Sequence, residues 1–170
     1  MNQQMIRNWP NIRRLFSETL KTSYHFSLAT NDGQGNPHIT PIGSLYLERE
    51  PKGYYFDLFS HTMNNNLKEN DRVCVMAVPS RFSTWLSALW RGRFSKPPGM
   101  RLYGRIGAPR EARPEEVARW QKVVRRTRWL KGHQLLWGEI CMVRDIEFDD
   151  WSPVQLGQMT RGLWRNKQPI

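Results

Sequence analysis

The run Phe59-Ser60-His61-Thr62, followed by Asn64-Asn65-Asn66-Leu67-Lys68, holds the residue types best able to do chemistry in this chain. It passes from a strand pattern into a helical one. Ser60 or Thr62 can cap the helix with a hydroxyl oxygen. A helix start presents unpaired N–H groups and partial positive charge, so it can hold a phosphate. The hydroxyls of Ser60 and Thr62, with His61 between them, complete an anion cradle. The same pattern also makes an ordinary helix cap, and the sequence leaves both readings open.

Other chemistries lack their residues. Gly33 and Gly35 lack the third glycine and the strand-to-helix context of a dinucleotide fingerprint. His25, His38, His61 and His133 do not stand at metal-ligand spacing from a Cys or a carboxylate. No nucleophile elbow surrounds a serine, so a hydrolase triad would have to assemble from distant residues.

The net charge is +11, and its placement is uneven. Between Arg81 and Lys131 stand 14 Lys/Arg against Glu111, Glu115 and Glu116, so the whole excess lies in that segment. Such a segment attracts a phosphorylated cofactor, nucleic acid, an anionic membrane surface or an acidic partner, and it is equally a solvated face. Within it, Trp85, Trp90, Arg91, Arg93, Phe94 and Lys96 interleave aromatics with cations that can stack on a flavin or a base and pair with phosphate. Trp85–Leu89 and Leu86–Trp90 are also i,i+4 pairs, the pattern of a helical stripe packed on the core or on a partner subunit. Further on, Arg119, Lys122, Arg125, Arg126 and Arg128 can line a nucleic-acid groove or form a solvated face opposite Val117, Trp120 and Val124.

The elements that must position these residues follow from periodicity. Ile12, Leu15, Phe16 and Leu20 predict an amphipathic helix over 10–21, with Pro10 in its first turn. Tyr24, Phe26 and Leu28 alternate as a strand, and 31–37 is a turn. Residues 38–47 resume as one extended segment, 54–60 form a third strand, 62–69 a short helix, and 73–78 a strand buried on both faces. Residues 79–99 read as an irregular, partly helical excursion, followed by a strand at 101–108. Pro114-Glu115-Glu116 opens a helix. A strand at 138–148 precedes a tail at 151–170. Hairpin-length connections favour an antiparallel sheet, and regular βαβ alternation is missing. The expectation is a mainly β (α+β) domain spanning residues 1–170: a six-stranded antiparallel split β-barrel with flanking helices.

Thr30-Asn31-Asp32-Gly33, Gly35-Asn36-Pro37-His38, Ser60-His61-Thr62 and Asn66-Leu67-Lys68-Glu69-Asn70-Asp71-Arg72-Val73 occur in that order. This arrangement resembles the pyridoxamine 5′-phosphate oxidase-like, FMN-binding split-barrel family. Arg101 to Gly107 and Pro114-Glu115-Glu116 resemble its fifth strand and following helix. The resemblance covers roughly residues 8–150. It implies a homodimer with FMN at the subunit interface. By position, it implies cofactor contacts from His38, Thr40, Pro41, Ser60, His61, Thr62 and Asn66. Met63 stands where the family often has a Lys or Arg that contacts the phosphate. Replacement charge would then come from Lys68, Arg72, Arg101 or a second subunit. The departure also leaves a deazaflavin or haem as alternative cofactors.

Length and composition bound the rest. With 170 residues, 39% apolar residues and 8 Trp, the chain can bury a core without disulfides or a structural metal. It has no apolar run long enough to span a bilayer and no signal-peptide pattern at its start. Cys74 and Cys141 each stand alone in an apolar run, predicting buried, reduced thiols in a cytoplasmic protein. Two classes of function follow: an FMN-binding oxidoreductase-like protein of unknown substrate, or a non-enzymatic module whose segment 81–131 binds nucleic acid or an acidic partner.

Overall fold

In the computed structural model, residues 3–58, 61–125, 129, 132 and 141–163 are described. Among the described residues, four helices, α1 (Gln3–Ser23), α2 (His61–Glu69), α3 (Phe82–Arg91) and α4 (Pro114–Val124), accompany seven strands. The strands are β1 (Phe26–Asn31), β2 (Pro37–Ile42), β3 (Tyr46–Leu47), β4 (Lys52–Phe56), β5 (Arg72–Ala77), β6 (Met100–Glu111) and β7 (Met142–Pro153). They form one sheet in the order β2-β1-β5-β6-β7-β4-β3, and every pairing is antiparallel. This is the expected split barrel with flanking helices, but with seven strands rather than six.

The extra strand arises where 38–47 breaks. Ser44 Oγ accepts from Phe56 N at 3.1 Å and donates to Phe56 O at 3.3 Å, so its side chain replaces a ladder rung. The chain thereby leaves β2 at one edge of the sheet and enters β3 at the other. Four residue steps separate Ile42 from Tyr46, so the edges approach within at most ~14 Å there. The 12-residue strands β6 and β7 bend to allow this closure, with register shifts at Tyr103/Gly104 and between Ile106 and Pro109. A Cβ at Gly104 would lie 2.2 Å from Glu147 O, so only glycine fits the first bulge.

Helix α1 begins seven residues before Pro10, not at it. Met5 and Trp9 extend the buried stripe of Ile12, Leu15, Phe16 and Thr19, and Trp9 Nε1 donates to Glu48 O at 3.0 Å. An interior proline costs about 3 kcal/mol, and burying Met5 and Trp9 offsets it at about 1.5–3 kcal/mol each. The main core joins this stripe to Phe26, Leu28, Val75, Leu102, Ile146 and Trp151. Trp151 therefore ends a core strand and is not tail. A second cluster packs Tyr54, Phe56 and Val143 against Trp120 of α4. Residues 73–77 bury one face only, because β5 is covered on its inner side.

Two further expectations change. The excursion at 79–99 contains a regular ten-residue helix, α3, closed by Gly92 in the left-handed region (φ 65°). Its apolar stripe does not pack on this chain's core: Phe82, Leu86, Leu89 and Trp90 are exposed, Trp90 at 90%. The cysteines are free but not fully buried, Cys74 being half-buried and Cys141 exposed.

Candidate functional site

Strand β4 delivers the chain to α2 through Asp57, a residue the sequence reading missed. Arg144 of β7 donates from Nε to Asp57 Oδ2 at 2.8 Å, and both side chains are nearly buried. Asn64 Nδ2 donates to Asp57 Oδ1 at 3.0 Å, so one carboxylate ties β7 to the first turns of α2. Beside it the buried Tyr55 hydroxyl has no hydrogen-bond partner among the described residues, and burial, with the Asp57 charge adding, pushes its phenol well above the usual range. The legible signal was Arg144 itself, a lone cation in the apolar run Met142-Val143-Arg144-Asp145-Ile146.

Helix α2 then lies on the inner face of β1. Asn66 is buried and donates from Nδ2 to Thr30 Oγ1 at 3.0 Å, and Met63 is fully buried in the main core. Asn66 is thus a strut between helix and sheet. Met63 fills core space where a phosphate-binding cation would need to face solvent. His61 and Thr62 stand exposed in the first turn of α2, beside its N-terminal N–H groups. Thr62 is inside the helix and not its cap; Ser60 lies outside the described residues. Lys68 donates to Asn65 Oδ1 at 3.3 Å in the last turn, about 10 Å along the axis from His61.

Strand alternation divides the remaining predicted residues. His38 and Thr40 pair with Thr30 and Leu28 and share their inner face. The Thr40 hydroxyl is buried, yet it has no hydrogen-bond partner among the described residues. Pro41 points to the opposite, exposed face of β2, with Ile39. Arg101 of β6 also lies on the outer face, opposite Met76 and Ser152. It flanks Cys74, whose thiol is pushed up by burial against the opposing Arg101 charge. The structure therefore brings together His38, Thr40, Asn66 and the start of α2 on one side of the sheet. It places Pro41 and Arg101 on the other.

Among the described residues, four cations of the basic segment are paired with carboxylates, all but Glu116 from outside it. Arg81 and Lys96 both pair with Glu18, Arg105 with Asp71, and Arg110 with Glu116 and Asp145. Arg119 donates to the Tyr54 hydroxyl at 3.0 Å and stacks 4.3 Å from the Tyr46 ring centroid, so it faces the second core cluster and not a groove. Arg126 and Arg128 lie outside the described residues. Among the described residues no cluster of His, Cys, Asp and Glu could hold a metal ion, and no helix is long and apolar enough to cross a membrane.

Comparison with known proteins adds independent support. No curated protein matches the sequence. Among solved structures, an FMN-binding protein from Syntrophomonas wolfei subsp. wolfei is 16% identical with a TM-score of 0.55, covering 91% of this chain and 97% of that one. HupZ of Group A Streptococcus is 15% identical with a TM-score of 0.55, covering 86% and 93%. The heme storage protein HutZ from Vibrio cholerae is 13% identical with a TM-score of 0.53, covering 84% and 94%. At these identities the likeness establishes the fold. The pyridoxamine 5′-phosphate oxidase family model matches residues 12–146, four-fifths of the sequence in the same order as the motifs above, and the chain belongs to that family.

Proposed function

We propose that this protein is an FMN-binding, oxidoreductase-like member of its family, working as a homodimer with the flavin held between subunits. The observation that carries the reading is the Thr40 hydroxyl, buried on the edge strand β2 and without a partner among the described residues. A buried hydroxyl without a partner costs about 1–3 kcal/mol, and a flavin ring with its carbonyls and ring nitrogens supplies the missing bond. In this proposal Thr40 and His38 orient the ring. The first-turn N–H groups of α2, with Ser60, His61 and Thr62, face the phosphate. Asn66 holds α2 in place through Thr30 rather than touching the cofactor.

A second subunit accounts for what one chain lacks. Met63 is committed to the core, so phosphate charge is met by the helix start and by cations of the partner. The outward placement of Pro41 and Arg101 suits residues that meet the partner's cofactor. When bound, the flavin supplies hydride or electron transfer, and the protein supplies position and exclusion of water. Two free cysteines, one exposed, suit a reducing, cytoplasmic setting.

The test is the visible spectrum of the protein purified without added cofactor, repeated after FMN is added. Flavin bands, or tight quenching of FMN fluorescence, are expected. A Soret band would instead assign haem, the ligand class of the Vibrio cholerae neighbour. Absence of any chromophore together with failure to bind FMN would overturn the flavin reading.

A further inference from the structure

Seven Lys/Arg and no Asp or Glu occur between Arg81 and Arg110. Arg81, Lys96, Arg105 and Arg110 reach carboxylates elsewhere in the chain, but Arg91 and Arg93 have no acidic partner among the described residues. Nor does Arg161, which follows the short 3₁₀ turn Gly157–Thr160 after β7. These three arginines, from two separate stretches of chain, line one cleft of about 500 Å³ together with Phe94, Ser95 and Gly162. Among the described residues no acidic side chain lines it.

The backbone holds this arrangement in place. Gly92 takes the left-handed conformation, turning the chain between Arg91 and Arg93 so that both reach the cleft. Phe94 is buried, and its ring meets Trp85 edge-on at 5.2 Å. Its N–H donates to Met159 O at 2.8 Å, which joins the α3 loop to the segment bearing Arg161. Three like charges held in one concavity repel one another, and a bound polyanion removes that repulsion. Guanidinium forks match the oxygens of phosphate in pairs. The volume falls within the range of small-molecule sites.

We propose that the Arg91–Arg93–Arg161 cleft binds a phosphate group, at a site separate from the proposed flavin site. None of its lining residues belongs to the β2–α2 set, so the two readings stand or fall separately. The phosphate comes either from a free phosphorylated compound or from a lipid headgroup, and the experiment distinguishes them.

The full-length protein is titrated calorimetrically with sodium pyrophosphate. It is also co-sedimented with phosphatidylglycerol-containing vesicles and with phosphatidylcholine vesicles. Each assay is repeated on R91Q/R161Q and on R7Q/R49Q, which removes the same charge from exposed positions away from the cleft. Pyrophosphate binding that weakens about tenfold or more in R91Q/R161Q, and is kept in R7Q/R49Q, supports a free phosphorylated ligand. Vesicle binding that needs phosphatidylglycerol and shows the same variant pattern supports a headgroup. R93Q alone gives the same comparison if the double variant fails to fold. Equal losses in both double variants would reduce the effect to net charge and overturn the proposal. So would no binding in either assay.

Discussion

Substituting Asp57 by Asn tests the anchor beneath α2. The Asp57–Arg144 pair spans β4 and β7 at 2.8 Å, with side-chain exposures of 8% and 11%. Arg144 Nη1 also donates to Gly107 O at 3.3 Å, so the guanidinium stays lodged when its carboxylate is removed. Breaking a buried pair from one side costs about 3–5 kcal/mol, because the remaining charge is desolvated and unmatched. For a chain of this size each kcal/mol lowers Tm by about 2–4 °C, so Asp57→Asn should melt ~6–20 °C below wild type. The assay is thermal unfolding followed by far-UV circular dichroism, with urea titrations to confirm an unchanged m-value. A double-mutant cycle with Arg144→Met isolates the pair, and the double variant should be more stable than Asp57→Asn alone. A loss under about 1 kcal/mol, the scale of an exposed ion pair, would refute burial of the interaction.

Three other outcomes follow from single features. Gly104→Ala forces a Cβ to within 2.2 Å of Glu147 O and should cost about 1–3 kcal/mol; an unchanged urea midpoint would contradict the bulge. Tyr24, exposed and in the left-handed region at φ 62°, closes α1, so Tyr24→Gly should stabilise by about 1 kcal/mol, and a loss of stability would reject that conformation. Arg110, hydrogen-bonded to both carboxylates, holds Glu116 and Asp145 below the usual carboxylate range. Folded values below unfolded ones mean that this stabilisation is complete above about pH 4–5 and is lost as pH falls through the folded values. Arg110→Met should flatten the acid limb of the stability–pH profile, and an unaltered limb would reject the assignment.

What the sequence made legible was local. The alternation in β1 and the turn at 31–37, where Asp32 accepts from Gln34 N and Asn36 N, follow from residue type and spacing. The start of α1 did not, because Pro10 reads as a beginning while the burial that overrides it belongs to Met5 and Trp9. The break at Ser44 was hidden because its partner, Phe56, is 12 residues away. Periodicity placed Trp85, Leu86, Leu89 and Trp90 on one face of α3, but says nothing of what covers that face. In the candidate site, the motif reads as placing Asn66 at the cofactor. Its role as a strut depends on Thr30, 36 residues distant, which no spacing rule connects. Strand parity alone should have separated Pro41 from His38 and Thr40, since alternate residues point to opposite faces.

The most direct test of the flavin reading is a fluorescence titration of FMN with wild type, Thr40→Val and the control Arg7→Gln. The Thr40 hydroxyl makes no bond among the described residues, so Thr40→Val should leave Tm unchanged or slightly raised. Loss of one hydrogen bond to the flavin should weaken FMN binding by about 5–10-fold, while Arg7→Gln binds as wild type. Equal affinity in all three proteins would place the flavin elsewhere, and no quenching in wild type would contradict the account itself.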